Sequence, residues 1–162
     1  MVALPTAFIK VTGRAAVESA CNFRGLVEHF QGEGASQFCL DLSECLLMDS
    51  TFSGVLAHLA STLGPNAESG CPRIVLSRPN DRIRDLLDSL GVLPLVGVLE
   101  DLAQPPAGEM RELDVGGSSK RQVAECCLES HRLLMALRPE NVAKFQELTR
   151  TLERQLQSPT SP

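Results

Sequence analysis

Tryptophan and tyrosine are absent from this 162-residue sequence, and aromatic residues make up 4% of it. The usual stacking platforms for bases and sugars are therefore missing. No apolar run approaches the ~18 residues of a membrane-crossing helix, which excludes an ordinary transmembrane segment. Basic clusters are absent too. The 15 Lys and Arg residues are scattered (Arg73 and Arg78, Arg82 and Arg84, Lys120 and Arg121) and outnumbered by 20 Asp and Glu, for a net charge of -5. Nothing there could track a phosphate backbone or coat a membrane surface, so neither nucleic acid binding nor membrane insertion is expected. The N-terminus has no charged lead followed by a long apolar core, so no signal peptide is expected either.

Motif absences narrow the chemistry. The six cysteines (Cys21, Cys39, Cys45, Cys71, Cys126, Cys127) contain no Cys-x-x-Cys, and no paired-His spacing accompanies them. A metal framework is not expected, and cytoplasmic, reduced thiols are. Dinucleotide-binding and P-loop glycine spacings are missing, as is a Gly-x-Ser-x-Gly elbow. The three histidines (His29, His58, His131) fall on three separate predicted helices with no nucleophile motif beside them. No cofactor and no enzymatic activity are expected.

What is present is 43% hydrophobic content, enough in a chain of this length for one core without staples. Ala7 to Thr12 alternates and stops at Gly13, as a strand does. Val17, Cys21, Phe23, Leu26, Val27 and Phe30 recur at helical spacing before Gly32 and Gly34. Gln37 to Leu42 reads as a buried strand, and an apolar step at Leu46 to Met48 leads to a helix carrying Phe52, Val55, Leu56, Leu59 and Leu63. Arg73 to Ser77 predicts a strand. A third helix follows, capped by Asn80 or Asp81 and closed by Gly91, and Leu95 to Leu99 predicts a last strand. Strands alternating with helices predict an α/β fold with a mixed, largely parallel sheet of four to five strands.

Residues 1–103 form this unit, and residues 104–119 read as a linker that holds a short strand at Met110 to Val115. Residues 120–157 read as a helical hairpin with Pro139 opening its second helix, and residues 158–162 as a disordered tail. Val142, Phe145, Leu148, Leu152 and Leu156 form the apolar stripe of the last helix. Three destinations suit that stripe: the chain's own domain, a homodimer through the hairpin, or a docked partner.

Residues Asp41 to Leu56 read Asp-Leu-Ser-Glu-Cys-Leu-Leu-Met-Asp-Ser-Thr-Phe-Ser-Gly-Val-Leu. This segment resembles the signature of the STAS family, the anti-sigma factor antagonists and their relatives, in which a strand ends in Asp-Leu-Ser and Asp-Ser-Ser/Thr precedes a helix. The order of elements from Ala7 to about Asp101 is similar as well. Two stretches differ: Gly13-Arg14-Ala15-Ala16 stands where the family often has Gly-Glu-Leu-Asp, and Phe52 where many members have Gly.

The resemblance implies a regulatory protein-binding module that takes part in a phosphorylation-controlled partner switch. Ser50 matches the phosphoacceptor, and Asp49, Ser50, Thr51 and Gly54 match the partner-binding segment, to which Phe52 also belongs by position. The implied partner is an anti-sigma factor of the serine kinase type, bound while Ser50 is unmodified and released on phosphorylation. The alternative it leaves is a STAS-like accessory subunit docked on a transporter ATPase. Independently of any family, a serine between a strand and a helix sits where free backbone amides converge. A phosphoryl group there adds about -1.5 to -2 charges that the helix dipole tolerates. Capping alone would equally suit Asp-Ser-Thr at this place.

Overall fold

The computed structural model describes residues 5–101 and 117–158. Among the described residues six strands and five α-helices follow one another as β1 (Thr6–Lys10), β2 (Gly13–Ala15), α1 (Val17–Gly32), β3 (Gln37–Asp41), β4 (Cys45–Met48), α2 (Ser50–Leu63), β5 (Ile74–Ser77), α3 (Asp81–Leu90), β6 (Gly97–Leu99), α4 (Lys120–Leu137) and α5 (Pro139–Gln157). The main sheet has the order β1-β3-β5-β6 and every pairing in it is parallel. β2 and β4 form a separate parallel pair. The fold is therefore α/β as expected, with four strands in one sheet and two outside it.

Parallel strands need crossover connections, and the helices supply them. Buried on both faces, β3 presents Phe38, Cys39 and Leu40 in succession, and the unbroken apolar run of its sequence follows from that. α3 starts where Asn80 Oδ1 accepts from the Ile83 amide at 2.9 Å and ends at Gly91, whose φ of 81° is the left-handed C-terminal turn that glycine adopts most readily.

The helix α2 is buried along most of its length, from Thr51 to Ala57 and again at Leu59. A helix covered on all sides needs neighbours on all sides. α2 packs on α1, and α4 lies along it in turn, with α5 packed on α4. The hairpin packs on its own domain through α4.

The inward face of α5 keeps part of the stripe that hydrophobicity alone predicts, with Phe145 and Leu152 packed inward. Asn141, Thr149 and Leu152 are buried, whereas Val142 and Leu148 are 39% and 40% exposed. Asn141 explains the difference. Its Nδ2 donates to the Leu90 carbonyl at 2.9 Å and to the Leu134 carbonyl at 2.7 Å, which pins the turn of the hairpin to the end of α3. Most of the linker, its expected strand at Met110 to Val115 and nearly all of the tail lie outside the described residues. Among the described residues no helix is long and apolar enough to cross a membrane.

Candidate functional site

Asp49 ends the loop after β4 with an extended backbone, and its carboxylate serves two helices. Oδ1 accepts from the Phe52 amide of α2 at 2.8 Å, and Oδ2 accepts from the Val17 amide, the first of α1, at 2.8 Å. α1 needs this help because its N-cap residue is Ala16, which has no side-chain acceptor. Asp49 is thus a double cap, half-buried between two helix N-termini. The Asp-Ser-Thr triplet does cap a helix, and it is the aspartate that does so.

Ser50 is the first residue of α2 and is also half-buried. Its hydroxyl meets His131 Nε2 of α4 at 2.8 Å. The proton positions follow from the ring's other nitrogen. His131 Nδ1 lies 2.7 Å from the Cys127 carbonyl, which can only accept, so Nδ1 carries the proton and Nε2 accepts from the Ser50 hydroxyl. His131 is 1% exposed and stands edge-on to Phe145 of α5 with ring centroids 4.7 Å apart. Burial pushes its pKa below the ordinary histidine value, while the Cys127 carbonyl and the Asp49 charge act in the opposite direction.

The remaining residues of the expected partner-binding segment face inward. Thr51 is 4% exposed and its Oγ1 lies 3.5 Å from Cys127 Sγ. Phe52 is 1% exposed, with its ring stacked on Phe23 at 4.9 Å. That stacking is the physical consequence of having phenylalanine at position 52: the ring is a core residue between α1 and α2. Gly54 faces α4 so closely that a Cβ on it would lie 2.6 Å from Ser130 Cβ and 2.7 Å from the Ser130 carbonyl oxygen. Only Asp49 and Ser50 of the five keep partial exposure.

His131 is the residue that sequence reading missed. It lies 81 positions from Ser50 and carries no motif, so only the packing of α4 on α2 brings the two together. Two thiols of α4 lie nearby, and Cys127 Sγ is 3.6 Å from His131 Nδ1. Cys126 on α4 has its thiol against Cys21 of α1, and burial foremost, with Cys21 second, holds its pKa up to about 12. Cys127 is likewise raised by burial, so neither thiol is an activated nucleophile. Among the described residues no group of three or more His, Cys, Asp or Glu is placed to hold a metal ion.

The fold and site define an α/β domain with a helical hairpin laid over the N-terminal half of α2. No family model and no curated protein matches the chain. Among solved structures it is similar to the anti-sigma factor antagonist SpoIIAA in its unphosphorylated form, at 20% identity and a TM-score of 0.42, over 62% of this chain and 84% of that one.

Proposed function

We propose that this chain is a regulatory protein-binding module of the anti-sigma factor antagonist type, with Ser50 as the phosphoacceptor that controls docking of a serine-kinase-type partner. The observation that carries the reading is the hydroxyl of Ser50 at the first position of α2, half-buried beside Asp49, inside the segment Asp41 to Leu56 that resembles the STAS signature. A phosphoryl group at a helix N-terminus is stabilised by the helix dipole, while its charge beside Asp49 repels an acidic or apolar surface. Modification there alters recognition without attacking the core of the sheet. The test is peptide mass spectrometry of protein isolated from its native cell under phosphatase inhibition. Phosphate on Ser50 supports the reading, and an unmodified Ser50 across growth and stress conditions removes it.

A second reading is favoured by one specific contact. Ser50, His131 and the Cys127 carbonyl form the hydroxyl, base and orienter of a nucleophilic dyad. Against it, His131 is sealed under Phe145 and Asp49 takes the Phe52 amide that an oxyanion would use. A fluorophosphonate probe separates the readings: no labelling of Ser50 is expected, and stoichiometric labelling abolished by His131→Gln would establish the enzyme.

A further inference from the structure

The surface around Ser50 already has an occupant. One face of α2 touches α4 at three successive places: Ser50 to His131, Thr51 to Cys127 and Gly54 to Ser130. The last is a near backbone-to-backbone approach, so α4 is seated on α2 with no slack between them. Any protein that recognises Ser50 through this face must meet α4 first.

We infer that α4 is a gate over Ser50, closed in the unmodified chain by the Ser50–His131 hydrogen bond and held open once Ser50 carries a phosphoryl group. The biological meaning of the gate rests on the reading of Ser50 as a phosphoacceptor. The chemical coupling between position 50 and α4 does not.

The coupling follows from who donates. In the closed chain the serine hydroxyl is the donor and His131 Nε2 the acceptor, because Nδ1 keeps its proton for the Cys127 carbonyl. Phosphorylation forms an Oγ–P bond as the bond from phosphorus to the nucleoside diphosphate of the kinase's nucleotide breaks, and the hydroxyl proton leaves to the kinase's base. The product has only acceptor oxygens at this place. Two acceptors cannot share the 2.8 Å now spanned by a hydrogen bond.

One escape is for His131 to take up a proton and pair with the phosphate. The groups facing it divide on that point. Asp49 from the α2 N-terminus and the Cys127 carbonyl on its own helix favour the charged ring, whereas burial under Phe145 of α5 opposes it and is the strongest of these influences. Lifting of α4 lets the phosphoryl group reach water while the ring stays neutral, and the Asn141 bonds to Leu90 and Leu134 keep the hairpin tethered at its turn while it lifts. The kinase partner docks on and modifies the small open fraction, and the phosphoryl charge of the product, which cannot close again, then repels that partner.

Hydrogen exchange read by mass spectrometry on the full chain, with phosphoserine installed at position 50 during translation, tests the gate without any partner. Amides of α4 should exchange at least tenfold faster than in the unmodified chain, with β3 and β5 unchanged. Unchanged α4 exchange overturns the inference, and slower exchange overturns it in favour of a His131–phosphate lock. Should the phosphorylated chain lose protection in β3 and β5 as well, Ser50→Ala decides. It leaves Nε2 without a donor and should speed α4 exchange severalfold with the sheet intact, whereas no change means that the bond does not hold the gate. Native phosphorylation of Ser50 is judged separately by mass spectrometry, so failure of either idea is visible on its own.

Discussion

Replacing Gly54 by alanine should destabilise this protein, although alanine is the better helix former. In an exposed helix the exchange gains about 0.8–1 kcal/mol. Here the new methyl would lie 2.6 Å from Ser130 Cβ and 2.9 Å from the Ser130 carbonyl carbon, and a backbone atom cannot rotate away. Restoring a 3.4 Å contact moves α4 back by about 0.8 Å. Overpacking of this kind costs about 1–3 kcal/mol. The same retreat stretches the Ser50–His131 bond from 2.8 Å beyond useful length and leaves a buried acceptor, for about 1–3 kcal/mol more. The net loss should be about 3 kcal/mol. Gly25, inside α1 with nothing within 4 Å of its would-be Cβ, is the internal control, and Gly25→Ala should gain about 1 kcal/mol. Urea unfolding followed by far-ultraviolet circular dichroism is the assay, since the chain has no tryptophan or tyrosine to report by fluorescence. A Gly54→Ala protein as stable as the parent would refute both the close seating of α4 and the gate built on it.

Three further outcomes follow from the same contacts. His131 is held neutral by burial, so the unfolded chain binds its proton more readily. Stability should be complete above pH 6.5, the ordinary histidine value, and fall as pH drops toward the lower folded-state pKa, a slope that thermal melts of His131→Gln should lack. Asn141→Ala removes two buried hydrogen bonds at the hairpin turn and should cost about 1–3 kcal/mol in the same urea experiment, whereas the exposed Val142→Ala should change little. Alkylation mapped by mass spectrometry should find Cys71, which is exposed, labelled first and Cys39, Cys45 and Cys126 protected, because all three are buried with raised pKa values; early labelling of Cys126 would contradict the packing of α4 on α1.

The sheet and its helices were largely legible because their signals are local. β3 announces itself by an unbroken apolar run, and α3 by Asn80 at one end and Gly91 at the other. β2 was not legible: three residues carry no period, and it exists only because Gly13 turns at φ 72° and the strand pairs with β4. β4 was read as an apolar step, since Leu46 within it is 68% exposed and breaks the pattern of a buried strand. On α5 the hydrophobic pattern was right at Phe145 and Leu152 but missed Asn141 and Thr149, two buried polar residues, of which Asn141 is drawn inward by its hydrogen bonds to Leu90 and Leu134.

At the site, Asp49 and Ser50 could be singled out from neighbours in sequence. Their roles could not. The second helix capped by Asp49 begins 32 positions earlier, and the partner of Ser50 comes 81 positions later. Contacts of that span are set by how helices stack, and no window along the chain contains both ends of them.

The double cap at Asp49 has a consequence for how genetics on this protein will read. One carboxylate fastens the starts of α1 and α2, so its loss frees two helix ends at once. A screen scoring loss of partner binding will return position 49 as a hot spot even where no partner atom approaches it, because the unfastened helices misplace Ser50 by themselves. Asparagine at 49, with one carbonyl oxygen to offer, should restore one fastening and give an intermediate phenotype. A graded series from aspartate through asparagine to alanine is thus the signature of a joint, and equal loss in both replacements the signature of a charge that a partner reads.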